Sequence, residues 1–373
     1  MSPVLVLCLL TLRLAYSKLV TFSNTAPRLD TGGAILNAHD GTTRRYSPNA
    51  PFFYHAIGYP ACNETGAING CNSCIFSRNN SIDVWSSPDL SSGSWSKVYT
   101  AYPNPAAAFP QCTYFRSQVI YSAASQRYVL WVNAVGCVAA TCPGGKCLDY
   151  ATATAPAPEG PFTFAGMAQP ASLPSALGDF ALLADSDGTA YAVLCHLLHG
   201  AGPRDMYVLP LTADFLHFQD VPGVLLPGPK LVEAPAFFRQ GATYTVLLGG
   251  CTCMGLWGGG VAALTAPHPL GPWTATSSQL DPGCNMDRQS TCFEMGPGAV
   301  CNPVTQAQQN FVMQVPLATG GWALVWTGDR WQQAPNKMYD QQPQTWLPLM
   351  VNNDTGVPLQ LQYVQQFTLD VEV

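Results

Sequence analysis

Val232-Glu233-Ala234-Pro235-Ala236-Phe237-Phe238 is followed, across Arg239-Gln240-Gly241-Ala242, by Thr243-Tyr244-Thr245-Val246-Leu247-Leu248. Apolar, aromatic and β-branched residues crowd both runs without helical spacing, and a glycine-bearing turn divides them, so the stretch reads as a β-hairpin. The same order occurs four more times. Leu36-Asn37-Ala38-His39 leads to Phe52 through Tyr59, Phe115 through Tyr121 to Tyr128 through Val132, Asp179 through Ala184 to Ala190 through Cys195, and Asn310 through Val315 to Trp322 through Trp326. After the first four hairpins comes a third strand and a turn with Pro or Asp and a closing aromatic, as in Ser86-Ser87-Pro88-Asp89-Leu90 to Trp95 and Thr265-Ala266-Pro267 to Trp273. Units of three or four strands repeated at intervals of some tens of residues mark a propeller. A β-sandwich has no reason to repeat this order five times. The expected fold is therefore all-β, a single five-bladed β-propeller over residues 18–373.

Composition agrees, with 33 Gly and 32 Pro and almost no helical periodicity. Residues 1–17 carry an apolar run from Val4 to Leu12 and end Ala15-Tyr16-Ser17, which reads as a secretory signal peptide although no Lys or Arg precedes the run. Of the 14 cysteines Cys8 falls in that segment, and most others cluster: Cys62/Cys71/Cys74, Cys137/Cys142/Cys147, Cys251/Cys253 and Cys284/Cys292/Cys301. Such clusters suit disulfides of an oxidising compartment better than zinc, for which only Cys71-Asn72-Ser73-Cys74 has paired spacing. Cys195, inside an apolar run, is the expected odd thiol. Glycosylation triplets begin at Asn63, Asn79 and Asn353. The net charge of −6, with 16 Lys+Arg and no basic cluster beyond Arg44-Arg45, argues against nucleic acid or an anionic membrane as partner.

Propeller blades converge on a central axis, so polar residues opening the inner strands should face one pocket. They are His39 and Asp40, Arg116 with Gln118, Asp179, Glu233, and Gln308 with Gln309. Convergent polar groups on apolar strands are what a small-ligand site needs. Of the five Glu residues only Glu233 opens an apolar strand. Desolvation there favours the protonated carboxyl, as a general acid requires. One such Glu alone is more simply a strand cap or an ion-pair partner, but Asp179 brings a second carboxylate toward the same axis. Taken singly, Asp179 reads equally as a loop cap and His39 as a satisfied turn histidine.

Asn37-Ala38-His39-Asp40-Gly41, Arg116 through Tyr121, Gly178-Asp179-Phe180, Glu233-Ala234-Pro235-Ala236, Pro269-Leu270-Gly271-Pro272-Trp273, and Gly328-Asp329-Arg330-Trp331 with Trp346-Leu347-Pro348-Leu349 stand in an order that resembles glycoside hydrolase family 43, in particular its exo-β-1,3-galactanase branch. The resemblance implies an inverting hydrolase with Glu233 as general acid, Asp179 setting its pKa and orientation, and Gln308 beside the attacking water. His39, Asp40, Arg116, Gln118, Trp257, Asp329 and Trp331 are the expected substrate contacts. Two departures stand out: Phe115-Arg116-Ser117-Gln118 where the branch has Glu-Arg-Pro-Lys, and Asp40 where it has Gly. The base is open between Gln308, Gln309 and Asp40. The expected activity is cleavage of β-galactan or arabinogalactan-type polysaccharide outside the cell, by a monomer without cofactor or metal. Another glycan, arabinan or xylan, and a catalytically weak carbohydrate-binding propeller are the alternatives.

Overall fold

The computed structural model describes residues 17–63, 74–173, 176–197, 203–252, 254–277, 279–292 and 294–373. The signal segment except Ser17, and Cys71 and Cys253, lie outside the described residues. The chain is all-β. A strand β1 (Ser17–Ser23) precedes five antiparallel units. The first is β2 (His39–Arg44), β3 (Phe52–Gly58), β4 (Ser81–Ser87) and β5 (Ser96–Tyr102); the second is β6 (Thr113–Ser122), β7 (Arg127–Val135), β8 (Tyr150–Ala155) and β9 (Thr163–Ala168). The third is β10 (Leu177–Ala184), β11 (Ala190–Leu197), β12 (Arg204–Pro210) and β13 (Val224–Leu225), and the fourth β14 (Val232–Gln240), β15 (Thr243–Gly250), β16 (Val261–Ala266) and β17 (Thr274–Ser277). The fifth is β18 (Gln308–Pro316), β19 (Trp322–Asp329) and β20 (Gln344–Pro348), after which β21 (Gln366–Glu372) pairs back onto β1. Units one and two are joined into one sheet by a single parallel bridge, Gly41 to Ser117.

Burial grades along each unit. β3 is buried at every position, Phe52 to Gly58, whereas β5, β9 and β17 expose much of theirs. Apolar side chains on both faces of a strand such as β3 pack between neighbouring units, Phe53 and Ile57 on one side and Phe52, Tyr54 and Ala56 on the other, which gives apolar runs rather than alternation. Five of the apolar clusters follow this rule in order: one between units one and two, one between two and three, then three and four, four and five, and finally five and one. The inner strands touch in the same cyclic order, with β18 closing on β2. Val20, Phe22 and Val371 of the β1–β21 pair pack into the closing cluster, and Asn24 clamps Trp346 by bonds in both directions.

Each inner strand carries a bulge at the same place, where two residues oppose one. The pairs are Asp40-Gly41, Arg116-Ser117, Gly178-Asp179, Ala234-Pro235 and Asn310-Phe311. A bulge bends a strand and re-aims its side chains. Asp40, Arg116 and Ala234 take φ of 51°, 55° and 49° there. At Gly41 a Cβ would meet the His55 carbonyl oxygen at 1.9 Å, so the first bulge closes only on glycine.

Disulfides join Cys62–Cys74, Cys112–Cys137, Cys142–Cys147, Cys251–Cys292 and Cys284–Cys301, and Cys195 is free and buried. Among the described residues the one trio with metal-ligand spacing, Cys112, Cys137 and Cys142, is taken up in these bonds. Asn63, Asn79 and Asn353 are all exposed. No described helix is long and apolar enough to cross a membrane.

Candidate active site

The bulges gather charged side chains at one end of the ring. Arg116 is the hub: Nη2 lies 3.1 Å from Asp179 Oδ2, Nη1 lies 3.4 Å from Asp40 Oδ1, and Nη1 also donates to the Gln309 carbonyl oxygen at 3.1 Å. Burial alone would lower the Arg116 pKa, but the carboxylates of Asp179, Asp40, Glu233 and Asp329 outweigh it and hold the guanidinium above its ordinary value. It is a fixed cation. Asp179 uses the same Oδ2 to accept from the Ala234 backbone N–H at 3.0 Å, next to Glu233 in sequence. Its grip on the expected acid therefore runs through the strand, and its own charge is balanced by Arg116.

Glu233 is buried at 8% exposure. Its Oε1 accepts from the Thr252 backbone N–H at 2.9 Å and from Gln308 Nε2, and Arg204 Nη1 stands 3.3 Å from Oε2. Arg204 is a site residue that sequence reasoning missed. The Cys251–Cys292 disulfide locks this side of the site, since Thr252 follows Cys251 and Arg204 Nη1 contacts Cys292 Sγ at 3.4 Å.

Gln308 stands beside the acid rather than across from it. Trp331 Nε1 donates to its Oε1 at 2.7 Å. An indole can only donate, so this bond fixes the amide orientation and turns Nε2 toward Glu233. Both ends of the amide are occupied. Gln309 is likewise committed, donating to the Ala234 and Leu247 carbonyl oxygens and accepting from Trp326.

Asp40 is 1% exposed, with Tyr59 Oη donating to Oδ2 at 2.7 Å, while Oδ1 accepts no hydrogen bond. Burial pushes its carboxyl up to about 6, with Arg116 pulling partly back. Asp329 accepts from the Asp40 backbone N–H at 3.0 Å, and His39 Nδ1 lies 3.2 Å from its other oxygen. His39, Asp329 and Trp331 are all buried, with Trp331 stacked on Tyr339 at a 5.4 Å centroid distance. Asp329 accepts from the Asp40 backbone and Trp331 donates to Gln308, so these side chains form a layer that holds Asp40 and Gln308 in place. Trp257 is half-buried against Gly296, where no Cβ would fit beside the indole. Phe115, in place of a carboxylate, packs edge-on against Phe76.

Gln118 spends its amide on the neighbouring unit. Its Nε2 donates to the Phe180 carbonyl oxygen at 2.8 Å and its Oε1 accepts from the Leu182 N–H at 2.9 Å, which ties the second unit to the third. Replacing it as Gln118→Leu leaves two buried backbone groups unpaired. A stability loss of about 1–3 kcal/mol in urea unfolding is expected. A variant as stable as the wild type would mean that these two bonds do not tie the units together.

No protein-family model and no curated relative matches the sequence. Solved structures do match. A family 43 β-1,3-galactosidase is 20% identical over 94% of this chain, with a TM-score of 0.66, and the chain spans 64% of its length. An exo-β-1,3-galactanase from Phanerochaete chrysosporium, solved with galactose, is 18% identical over 94% of this chain and 69% of its own, at 0.64. An endo-1,4-β-xylanase from Bacteroides thetaiotaomicron is 15% identical over 90% of this chain and 96% of its own, at 0.57. The fold is that of glycoside hydrolase family 43.

Proposed function

We propose that the chain is a secreted, inverting glycoside hydrolase built as a five-bladed β-propeller, acting on β-1,3-galactan, with Glu233 as general acid. The observation that carries this is the convergence of Glu233, Asp179, Asp40 and Arg116 from four different inner strands on one mouth of the ring. The cyclic core and five equivalent bulges support the blade count. The disulfides and exposed glycosylation triplets support secretion. Since the fold also serves a xylanase, the galactan assignment leans on the neighbours described as galactanases.

In the proposed reaction Glu233 gives its proton to the glycosidic oxygen as the bond to the anomeric carbon breaks, and a water attacks that carbon from the opposite face. Gln308, Thr252 and Arg204 hold the carboxylate left behind. Asp40 takes the proton from the water. An amide is a poor base, and Gln308 is bonded at both ends, whereas Asp40 keeps Oδ1 without a hydrogen bond and has a carboxyl near 6. Being buried, it meets a water that enters the axis with the substrate. Inversion needs a separation of about 6.5–9.5 Å between the working carboxyls, against about 5–5.5 Å for retention. Proton NMR of the first product tests this directly: an α-configured sugar released from a β-linked substrate is expected, and a β-configured one would overturn the mechanism.

The base must be ionised to work, so kcat/KM is expected to fall about tenfold per pH unit below about 6. Asp40→Asn should abolish that limb along with most of the rate, whereas Gln308→Ala should weaken turnover without moving it. If Asp40→Asn kept both rate and limb, Asp40 would not be the base. The Arg204 contact on Glu233 and the loss of a carboxylate at Phe115 favour a second reading, a galactan-binding propeller with little turnover. That reading forecasts tight oligosaccharide binding and no reducing sugar.

A further inference from the structure

Arg44-Arg45, the one basic pair of the sequence, takes no part in the site above. The inner strands enter at the catalytic mouth and end at the opposite one, roughly 15–20 Å away for five or six extended residues. At that far mouth lies a cavity of about 560 Å³, lined by the ends of all five inner strands and by Trp322. Arg44 and Arg45 stand on its wall. Arg44 donates from Nη2 to the Leu182 carbonyl oxygen and Arg45 from Nη1 to that of Glu372, and among the described residues neither has a carboxylate within ion-pair distance. Arg239, on the same wall, is neutralised by Asp185 at 2.6 Å.

Two unpaired guanidiniums, half withdrawn from water, are costly in a chain of net charge −6 and call for an anion. Burial lowers the Arg44 pKa, the direction that an arriving anion would reverse. The rim carries two large aromatics turned to solvent, Trp322 at 55% exposure and Tyr121 at 42%. Aromatic faces beside Arg forks are the pairing that receives the C–H face of a sugar ring together with its carboxylate. A smaller cavity of about 300 Å³ shares Arg45 and Trp322 and extends the groove outward, past Glu372. The larger volume falls within the range of small-ligand sites.

We propose that the far mouth is a second, non-catalytic glycan site that binds a carboxylate-bearing sugar residue, with Arg44 and Arg45 on the carboxylate and Trp322 against the ring. It stands independently of the hydrolase reading, because none of its residues touches Glu233 or Asp179. The test is calorimetry with D-galacturonic acid and D-galactose, which differ only at C6, and with sulfate as a bare anion. Galacturonate is expected to bind at least tenfold more tightly than galactose. Arg45→Gln should remove that preference, and Trp322→Ala, an exposed position that cannot unsettle the core, should weaken galacturonate at least fivefold. Both variants should hydrolyse neutral β-1,3-galactan at the wild-type rate, provided the hydrolase reading holds. Three results would overturn the proposal: no preference for galacturonate, galacturonate binding that survives Arg45→Gln and so belongs to the catalytic mouth, or sulfate binding as tight as galacturonate with Trp322→Ala silent. Absence of hydrolysis in the wild type would sink the hydrolase reading and leave this one standing.

Discussion

Glu233→Gln is expected to lower kcat on β-1,3-galactan oligosaccharides by about 10²–10⁴-fold, the range typical of lost general acid catalysis, with little change in the affinity for β-1,3-galactotriose. The substitution preserves shape. An amide oxygen can still accept from the Thr252 N–H and from Gln308, while the proton needed by the leaving oxygen is gone and the amide nitrogen, a donor like the guanidinium it faces, gives up the Arg204 contact. The deficit should also depend on the leaving group. An aryl galactoside whose phenol leaves as a stable phenolate needs little protonation, so on that substrate the variant should recover most of the wild-type rate. A merely structural lesion would lower both substrates alike. Wild-type turnover of the oligosaccharide by the variant would remove Glu233 from the acid role and, with it, the assignment of Asp179 as its support.

The hairpins were legible because their side chains are aromatic and β-branched and three of their turns, at Asp185 to Gly188, Gly241 and Gly320-Gly321, carry Gly or Asp, signals that act within a few residues. The first inner strand was not. His39-Asp40-Gly41-Thr42-Thr43-Arg44 has little strand propensity, and the apolar residues just before it, Leu36 and Ala38, drew the expected strand upstream. Only its place against β3 and β6 makes it a strand. The bulges were equally hidden, although Asp40-Gly41, Gly178-Asp179 and Ala234-Pro235 hold residues that strands otherwise avoid. They also set Gln118 apart from Arg116. With strict alternation, Arg116 and Gln118 share a face; two residues opposing one break the period, so Arg116 enters the site while Gln118 bonds the neighbouring unit. Arg204 reaches Glu233 from a strand edge 29 positions earlier, a contact set by unit packing alone. Trp331 entered the expected substrate contacts through the family resemblance alone; its full burial follows from the Tyr59 and Tyr339 rings around it.

Removing the hub gives the largest expected loss of stability. Arg116→Met keeps most of the side-chain volume but leaves Asp40, 1% exposed, and Asp179 without their shared cation, and breaking a buried charge network in this way costs about 3–5 kcal/mol. The pH dependence follows from Asp40. Its carboxyl already lies at about 6 in the folded protein, above the unfolded value of 3.8, so the folded state binds the proton more tightly and stability falls as pH rises from about 4 to 6. Without Arg116, the group that now pulls it down, the Asp40 carboxyl moves further up. The variant is therefore weakest at pH 8, where the unpaired carboxylate is ionised, and approaches wild-type stability at pH 5, where it is neutral. Urea unfolding at the two pH values checks the sign. Adding Asp40→Asn to Arg116→Met should restore part of the loss at pH 8, because the double variant no longer buries that charge, and the two substitutions should then be markedly non-additive. Equal losses at pH 5 and pH 8, with simple additivity, would mean that Arg116 contributes packing and hydrogen bonds to the Gln309 carbonyl rather than charge, and that the carboxylates at this mouth are held by something other than their common cation.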